Sequence, residues 1–394
     1  MTNELTSITD HMPKQENAGA MPKYRQIVDS LRTSITSGQY RNGGRLPSEA
    51  ELVRRFGVSR MTAVKAVQQL QQEGLLVRRA GSGTYAAETQ RSVKPVFGLI
   101  IPDLGQTEIF EPICKGMTES PTAAGGQGWS LAWGHSAMPS ANKELESEHL
   151  CQQYVEQNVS GVFFAPLEFG VQRDQVNRRV LKTLKAARIP VVLLDRGVSK
   201  YPEPSEYDLV GLDNRRSGYL MGEHLIKQGA KRLGFLSREG SAATIDERIA
   251  GCREALFSHG LELPVSRVLR GDPADRTVIS EWIQRQKLDA ILSGNDLTAA
   301  KLMRTLHSLD LAVPADIRIA AFDDVRYAEL LPVPLTTLHQ PCLEIGAAAV
   351  AAMLDRIANP GLPPRSILLN GQIVVRQSCG AGQSYDQDAE KLAS

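Results

Sequence analysis

Residues 44–85, GRLPSEAELVRRFGVSRMTAVKAVQQLQQEGLLVRRAGSGTY, predict a helix, a tight turn, a second helix and a β-hairpin. Ser48 can cap the first helix, and Glu51 three residues later completes a capping box. Gly57 permits the turn, and Ser59 can cap the second helix. This order of elements is that of a winged helix-turn-helix.

The second helix has one apolar stripe, because Ala63, Ala66, Val67 and Leu70 recur at i, i+3, i+4 and i+7. Its outer face is left with polar side chains and an early arginine, which suits a major groove. In the hairpin, residues 75–77 and 84–85 are the strands and residues 81–83 are the turn. The sequence therefore predicts a DNA-binding module.

Six motifs run in order along residues 22–84: Pro22-x-Tyr24, Gly38, Leu46-Pro47-Ser48-Glu49, Val58-Ser59-Arg60-x-Thr62, Glu73-Gly74-Leu75 and Gly81-Ser82-Gly83-Thr84. They resemble the GntR family of DNA-binding domains. The resemblance implies DNA contacts from Arg45, Ser48, Glu49, Ser59, Arg60, Thr62, Lys65, Gly81, Ser82, Gly83 and Thr84. Ala50 and Val64 stand where the family commonly has basic residues, so the operator sequence does not follow from it.

Charge is unevenly distributed along the 394 residues. Residues 21–95 carry 13 Lys and Arg against 5 Asp and Glu, whereas residues 96–394 carry 31 against 36. A basic module can neutralise phosphates, while an acidic body is repelled by DNA. The near-neutral total therefore conceals a basic N-terminal module on an acidic body.

The cysteines and the hydropathy pattern indicate a cytoplasmic protein. The five cysteines are scattered without a CxxC pair, which is typical of reduced thiols. We find no signal-peptide core and no apolar run of about 20 residues, so we expect no membrane association. Residues 1–20 are expected to be a disordered tail, and residues 381–394 are assigned to a C-terminal tail.

From Val96 onwards, short apolar runs alternate with amphipathic helical stretches, after a polar linker at 87–95. The predicted strands are 96–101, 129–133, 161–165, 191–194, 209–212, 232–236, 290–293 and 317–322. The predicted helices are 142–157, 173–187, 215–227, 246–259 and 297–308. This alternation favours α/β architecture with parallel sheets covered by helices, and the number of strands favours two subdomains.

Further motifs lie at the ends of these runs: Gly98-Leu99-Ile100-Ile101-Pro102-Asp103, Val191-Val192-Leu193-Leu194-Asp195-Arg196, Asp213-Asn214, Arg248-Ile249-Ala250-Gly251, Ser293-Gly294-Asn295-Asp296, Ala321-Phe322-Asp323-Asp324 and Leu335-Thr336-Thr337-Leu338. They resemble the LacI/GalR effector domain, which is similar to periplasmic binding proteins. The resemblance implies a doubly wound domain of two lobes over residues 96–380 that closes on a ligand. A GntR head on such a body is known from arabinose-responsive repressors.

Ligands of doubly wound sheets bind beyond the carboxyl ends of the strands. Arg248 stands where the family has a ligand-binding arginine, although a surface arginine is the alternative. Asn295 can donate to and accept from hydroxyl groups, or it can cap a helix, a role that Asp296 can also fill. Asp323 and Asp195 are further candidates, and an ion pair with Arg196 is an equal alternative for Asp195.

The end of the first strand departs from the LacI/GalR pattern. Glu108 can bind hydroxyl groups or an amine there, and Phe110 can stack on a sugar face. A phenylalanine at the start of a helix is more often part of a core, so both interpretations of Phe110 stay open.

Two other classes of function are weighed and disfavoured. An enzyme would need a catalytic motif, and Gly134-His135-Ser136-Ala137-Met138 lacks the second glycine of a nucleophile elbow. Nucleotide-binding glycine motifs and histidines at metal-ligand spacing are not found either, so we expect no cofactor and no metal. A transport solute-binding protein would need a signal peptide and would not carry a DNA-binding head.

The sequence therefore predicts a bacterial DNA-binding transcription regulator, a repressor, with its winged helix-turn-helix at residues 21–86. We expect a homodimer on a pseudo-palindromic operator, whose affinity is controlled by a small metabolite between the lobes. A sugar is the first choice of effector, and a nucleobase or a sugar phosphate is the alternative.

Overall fold

The computed structural model describes residues 22–36, 40, 44–79, 82–87, 94–102, 104, 108–120, 128–132 and 142–381. Two compact units follow one another along the chain, Met1–Val93 and Lys94–Ser394. Several predicted features lie outside the described residues, namely the tail at 1–20, nearly all of the tail at 381–394, most of the linker (88–93), Gly81 of the wing and the serine motif at 134–138.

The N-terminal unit has the predicted order of elements. They are α1 (Lys23–Thr36), α2 (Glu49–Phe56), α3 (Arg60–Gln72) and the antiparallel strands β1 (Leu76–Arg79) and β2 (Gly83–Ala86). The capping box is confirmed, because Ser48 Oγ accepts from Glu51 N at 3.3 Å and the Glu51 carboxylate accepts from Ser48 N at 2.7 Å. Gly57 is left-handed at φ 57°, and Ser59 caps α3 through Thr62 N at 3.2 Å.

The apolar stripes of the helices face one another in a small core. Ala63, Ala66 and Leu70 of α3 are fully buried, and Ile27 and Leu31 of α1 are no more than 2% exposed. This burial supplies most of the stability that short helices lack on their own. It also fixes which face of α3 is left for solvent.

The C-terminal unit is built from two six-stranded sheets, each with helices packed against it. The strands are β3 (Val96–Ile100), β4 (Ser130–Ala132), β5 (Gly161–Phe164), β6 (Val191–Leu194), β7 (Asp208–Leu212), β8 (Leu233–Ser237), β9 (Val268–Arg270), β10 (Ala290–Ser293), β11 (Arg318–Asp323), β12 (Thr336–His339), β13 (Ser366–Leu369) and β14 (Gln372–Val374). The helices are α4 (Phe110–Thr118), α5 (Lys143–Glu156), α6 (Arg173–Ala186), α7 (Asn214–Lys227), α8 (Ala243–Ser258), α9 (Arg276–Gln286), α10 (Asp296–Ser308) and α11 (Cys342–Ala358).

Lobe 1 has the strand order β13-β7-β6-β5-β3-β4, and lobe 2 has the order β14-β12-β11-β10-β8-β9. All pairs among the described strands of these sheets are parallel except β12 with β14. The chain crosses between the lobes at Asp213, at Gln340-Pro341 and at Asn370-Gly371, where strands of one lobe lead into elements of the other. The two-lobed, doubly wound architecture is thereby confirmed.

All eight predicted strands and five predicted helices are present, most of them with shifted ends. Residues 191–194 and 290–293 match β6 and β10, because a continuous apolar run buried on both faces has clear ends. Strands β9, β12, β13 and β14 are not predicted. They are short, and polar or exposed residues interrupt them, so the pairing of a neighbouring strand decides their conformation.

In each lobe one helix pair packs at backbone contact through glycine. A Cβ atom at Gly251 of α8 would lie 1.8 Å from the carbonyl oxygen of Arg215 on α7. In lobe 1, a Cβ atom at Gly116 of α4 would lie 2.0 Å from the carbonyl oxygen of Leu343 on α11. These contacts fix α8 against α7 and α4 against α11.

We expect Gly251→Ala to destabilise the C-terminal unit by about 1–3 kcal/mol or more, because the added methyl group forces α7 and α8 apart. Gly361→Ala is the matched control, since a Cβ atom there meets nothing within 4 Å. Urea denaturation of both variants measures the effect. Equal stability of the two would contradict backbone contact between the helices.

Candidate functional site

The N-terminal unit exposes arginines at the start of α3 and in the hairpin. The Arg60 side chain is 84% exposed, and its Nε lies 3.7 Å from Glu49 Oε2. Glu49 Oε1 also accepts from Arg78 Nη2 at 3.2 Å. Glu49 therefore holds two arginines, one from the helix and one from β1, so its carboxylate can position cations for phosphate or base contacts.

Two arginines of this surface are missing from the sequence prediction. Arg78 and Arg79 lie in β1, where Leu76 is buried and every later residue of the strand is exposed. The Arg79 guanidinium lies 5.0 Å from the centre of the Tyr85 ring. A cavity of about 310 Å³ opens between α2 and the hairpin, lined by Ser48, Glu49, Ala50, Arg78, Arg79, Gly83 and Thr84. The adjacent arginines after an apolar residue are the signal that could have revealed them.

The other predicted DNA contacts lie around this surface. The backbone of Arg45 forms an isolated antiparallel β-bridge with that of Tyr85, and the Nε atom of Arg45 is close to Gly83. The Lys65 ammonium lies 5.1 Å from the ring of Tyr24. Ser59 and Thr62 share a hydrogen bond of 2.8 Å at the α3 cap, and Ser82 is 2.5 Å from the Tyr85 hydroxyl.

In lobe 2, Arg248 is almost completely buried, with a side chain 5% exposed. Its Nε donates to Asn214 Oδ1 at 2.8 Å, and its Nη1 donates to the Gly294 carbonyl at 2.6 Å. Nη1 also lies 3.9 Å from Asp323 Oδ1, and the guanidinium lies 4.5 Å from the Phe322 ring centre. The surface-arginine alternative is therefore wrong, because the glycine contact of α8 with α7 turns this residue inward.

Buried polar atoms lie at the carboxyl ends of the lobe 2 strands, where Asp323 ends β11. Among the described residues, the hydroxyls of Ser237 and Ser293 and the Oε1 of Gln340 have no hydrogen-bond partner. Gln340 Nε2 donates to Asp323 Oδ1 at 2.7 Å. Nearly all buried polar atoms in folded proteins have partners. These acceptors and donors therefore indicate a site suited to a polar ligand, and sequence reasoning missed all three residues.

Asn295 and its neighbour have different roles. Asn295 Oδ1 accepts from Thr298 N at 2.9 Å, so Asn295 is the cap of α10. The alternative in which Asp296 caps this helix is wrong. Asp296 is fully buried and accepts from Thr337 Oγ1 at 2.6 Å and from Val325 N at 3.0 Å.

Lobe 1 faces the cleft with a charged cluster. Asp195 Oδ2 accepts from Arg196 Nε at 2.9 Å, which is the ion pair given as its alternative. Arg196 Nη1 donates to Glu168 Oε2 at 3.0 Å, and Glu168 is a residue that the sequence does not predict. Phe110 is 1% exposed within the lobe 1 core, with the Arg196 guanidinium 5.8 Å from its ring centre.

The two lobes touch at the rims of the cleft. Glu108 Oε2 accepts from Arg326 N of lobe 2 at 3.1 Å. On lobe 2, Arg238 lies 4.4 Å from the centre of the Phe169 ring of lobe 1. Predicted residues of both lobes therefore line one cleft. Glu108 lies at its rim, and Asp195, Arg248 and Asp323 lie inside it.

Burial dominates the acid–base properties of the cleft. It raises the pKa of Asp323 to about 6, against the opposing effect of Arg248. Burial also holds the pKa of Asp296 well above its usual range, and the nearby Asp323 raises it further. The left-handed φ of 66° at Asp195 and the positive φ of 115° at Asp323 show that backbone strain concentrates here.

Family models match both units. Residues 23–86 match the bacterial regulatory proteins of the gntR family, and residues 223–379 match the periplasmic binding protein-like domain. The chain is a GntR helix-turn-helix domain joined to a periplasmic-binding-protein-like domain, which defines a DNA-binding transcriptional regulator with an effector domain. No helix among the described residues is long and apolar enough to cross a membrane.

Particular relatives extend the match along the chain. The arabinose metabolism transcriptional repressor of Geobacillus stearothermophilus is 26% identical over 371 residues, covering 91% of this chain and 98% of the relative. The PurR repressor of Vibrio vulnificus is 32% identical over 200 residues, covering 49% of this chain and 58% of the relative. These relatives are transcriptional regulators.

Solved structures share the two-lobed fold. The CcpA regulator of Lactococcus lactis has a TM-score of 0.59 at 20% identity, covering 72% of this chain and 99% of its own. A LacI family regulator of Enterococcus faecium with bound ribose has a TM-score of 0.55 at 22% identity, covering 72% and 98%.

We expect Arg60→Ala to lower affinity for a duplex selected by the wild-type protein about five- to 150-fold, since a base contact of arginine contributes about 1–3 kcal/mol. Fluorescence anisotropy measures the change. Arg25→Ala, on the exposed side of α1, is the control and should bind as wild type does. Equal affinity of Arg60→Ala and wild type would contradict the role of α3 as recognition helix.

The raised pKa of Asp323 predicts a specific pH dependence of stability. The folded state binds this proton more tightly than the unfolded state, so the contribution of Asp323 to the unfolding free energy falls as pH rises from about 4 to about 6. Relative to Asp323→Asn, the wild type should lose on the order of 2 kcal/mol across this interval. Urea denaturation at several pH values tests this, with the exposed Asp310→Asn as control. Parallel profiles of wild type and Asp323→Asn would refute it.

Proposed function

We propose that this regulator is a cytoplasmic repressor that binds a pseudo-palindromic operator as a homodimer. Its operator affinity is controlled by a sugar bound between the two lobes. The observation that carries the effector class is the set of buried polar groups at the strand ends of lobe 2, which comprises Arg248, Asp323, Gln340 and the unpartnered hydroxyls of Ser237 and Ser293.

A sugar fits this cluster because each of its hydroxyl groups donates one hydrogen bond and accepts others. Asp323 and Gln340 Oε1 are acceptors, while Arg248 is a donor and the hydroxyls of Ser237 and Ser293 can act as either. The guanidinium of Arg248 is held by Asn214 and Gly294, so it is pre-organised for a ligand. The similarity to arabinose metabolism repressors over 91% of the chain supports the same class.

Most of the predicted contacts are retained in this proposal. Effector contacts come from Glu108, Asp195, Arg248 and Asp323, and from the side-chain amide of Asn295, whose oxygen also caps α10. Phe110 is instead part of the lobe 1 core. We add Glu168, Ser237, Ser293 and Gln340 to the effector contacts. DNA contacts come from the residues named for the resemblance, together with Arg78 and Arg79.

Control of operator affinity follows from the two-lobed design. A ligand that contacts both walls stabilises the arrangement of the lobes that brings these walls together. In a dimer this arrangement sets the spacing of the two DNA-binding domains. A coupling free energy of about 1–3 kcal/mol is sufficient for regulation.

Thermal unfolding of the full chain with L-arabinose, other monosaccharides, sugar phosphates and nucleobases tests the effector class. We expect a saturable rise in Tm with one sugar that follows mass action. Arg248→Lys should abolish the rise, because lysine cannot reproduce the guanidinium fork. Arg215→Lys on the exposed side of α7 is the control and should respond as wild type does.

Two outcomes would overturn this assignment. Stabilisation by a nucleobase or a sugar phosphate alone would replace the sugar with the alternative effector. A full response of Arg248→Lys would show that Arg248 serves lobe 2 as a structural residue only.

A further inference from the structure

Helix α6 of lobe 1 and the residues just after it carry a concentration of positive charge, of which, among the described residues, only Arg173 bonds at the cleft, to the carbonyl oxygens of Glu168 and Gly240. Residues 173–188 contain six Lys and Arg and one Asp, within a region (96–394) in which acids outnumber bases by 36 to 31. Arg178, Lys182 and Lys185 recur at i, i+4 and i+7, so they lie on one face of the helix.

Ion pairs neutralise only part of this charge. Arg173 pairs with Asp174 at 3.3 Å, Arg179 pairs with Glu148 at 2.5 Å, and Lys185 pairs with Glu206 at 2.8 Å. Lys182 and Arg188 are exposed, and neither side chain has a hydrogen-bond or ion-pair partner in the part of the chain that the structure describes. The surface therefore has a net positive charge after its internal pairs are counted.

The basic end of α6 lies at the amino edge of the lobe 1 sheet. Lys185 and Arg188 line a cavity of about 500 Å³ there, together with Ser160. Ser160 N donates to the Val96 carbonyl at 2.8 Å, and Val96 N donates to Ser160 Oγ at 3.3 Å. Val96 begins β3. The first strand of lobe 1 therefore begins at the edge that carries these cations.

The other charges at this edge are already engaged. Asp208 is fully buried and accepts from Arg356 Nη2 at 2.9 Å, so it does not face solvent. The helix dipole favours cations in the last turn and can account for Lys185. It does not account for Lys182 or Arg178, which lie before the last turn.

We propose that the basic end of α6, with Lys182 and Arg188 as its unpaired cations, contacts the phosphate backbone of duplex DNA outside the site read by α3. The inference depends on the DNA-binding activity of the N-terminal domain. Non-directional charge contacts of this kind add affinity without adding base specificity.

The experiment compares two duplexes that carry one site selected by the full-length protein from a random pool. One duplex is trimmed to the minimal site, and the other has 20 base pairs on each side. The wild type should show a steeper dependence of log K on log[NaCl] with the long duplex, by about 0.9 for each phosphate contacted.

The double variant Lys182→Gln/Arg188→Gln should remove this difference. On the long duplex we expect a three- to tenfold loss of affinity and a slope shallower by about 1–2. On the short duplex its affinity should equal that of the wild type. Lys301→Gln/Arg304→Gln on α10 is the control, because it removes the same charge from exposed positions of lobe 2.

Three results would overturn the inference. Equal losses for the α6 variant and the control would assign the effect to net charge. Equal losses on both duplexes would place it within the minimal site. Unchanged binding of the α6 variant to the long duplex would show that this surface does not contact DNA. Failure of the wild type to select any duplex would instead refute DNA binding itself.

Discussion

The effector domain depends on the buried guanidinium group of Arg248 and on the groups that bind it. Arg248 is held by Asn214 at the first crossing between the lobes, by the Gly294 carbonyl after β10 and by Asp323 at the end of β11. A buried charge is costly unless it is paired and hydrogen-bonded. The arginine therefore ties three strand ends together and leaves its remaining hydrogen-bonding capacity at the cleft.

Helix packing makes this burial possible. Close contact of α8 with α7 through Gly251 leaves no room for rotation of α8, so Arg248 must point towards the strand ends. Lobe 1 uses the same device between α4 and α11, where Gly116 meets Leu343. Each lobe thus has a rigid helix pair beside the cleft, and rigid walls are what precise placement of polar groups requires.

Arginine–carboxylate pairs occur both at the DNA-binding surface and in the cleft between the lobes. Arginines on α3 and β1 share Glu49, which arranges them on an otherwise basic domain. In the cleft, Asp195 and Glu168 face Arg196 in lobe 1, and Asp323 faces Arg248 in lobe 2. The pairs of the DNA-binding surface are partly exposed, whereas those of the cleft are buried. In the cleft, burial raises the pKa of Asp323 to about 6 against the opposing effect of Arg248.

The sequence by itself determined the winged helix-turn-helix, its caps at Ser48 and Ser59 and the alternating elements of the two lobes. These follow from local periodicity and capping, which act within a few residues. The candidate Arg248 came from the resemblance to the LacI/GalR family, and Asp323 came from its position at the end of a predicted strand. Only the tertiary structure decided that Asn295 caps α10, that Asp195 pairs with Arg196 and that Gln340 and Glu168 enter the cleft. Strands β12 to β14 were also beyond local reasoning, because their hydrogen-bond partners are distant in sequence and the chain reaches them only by crossing between the lobes.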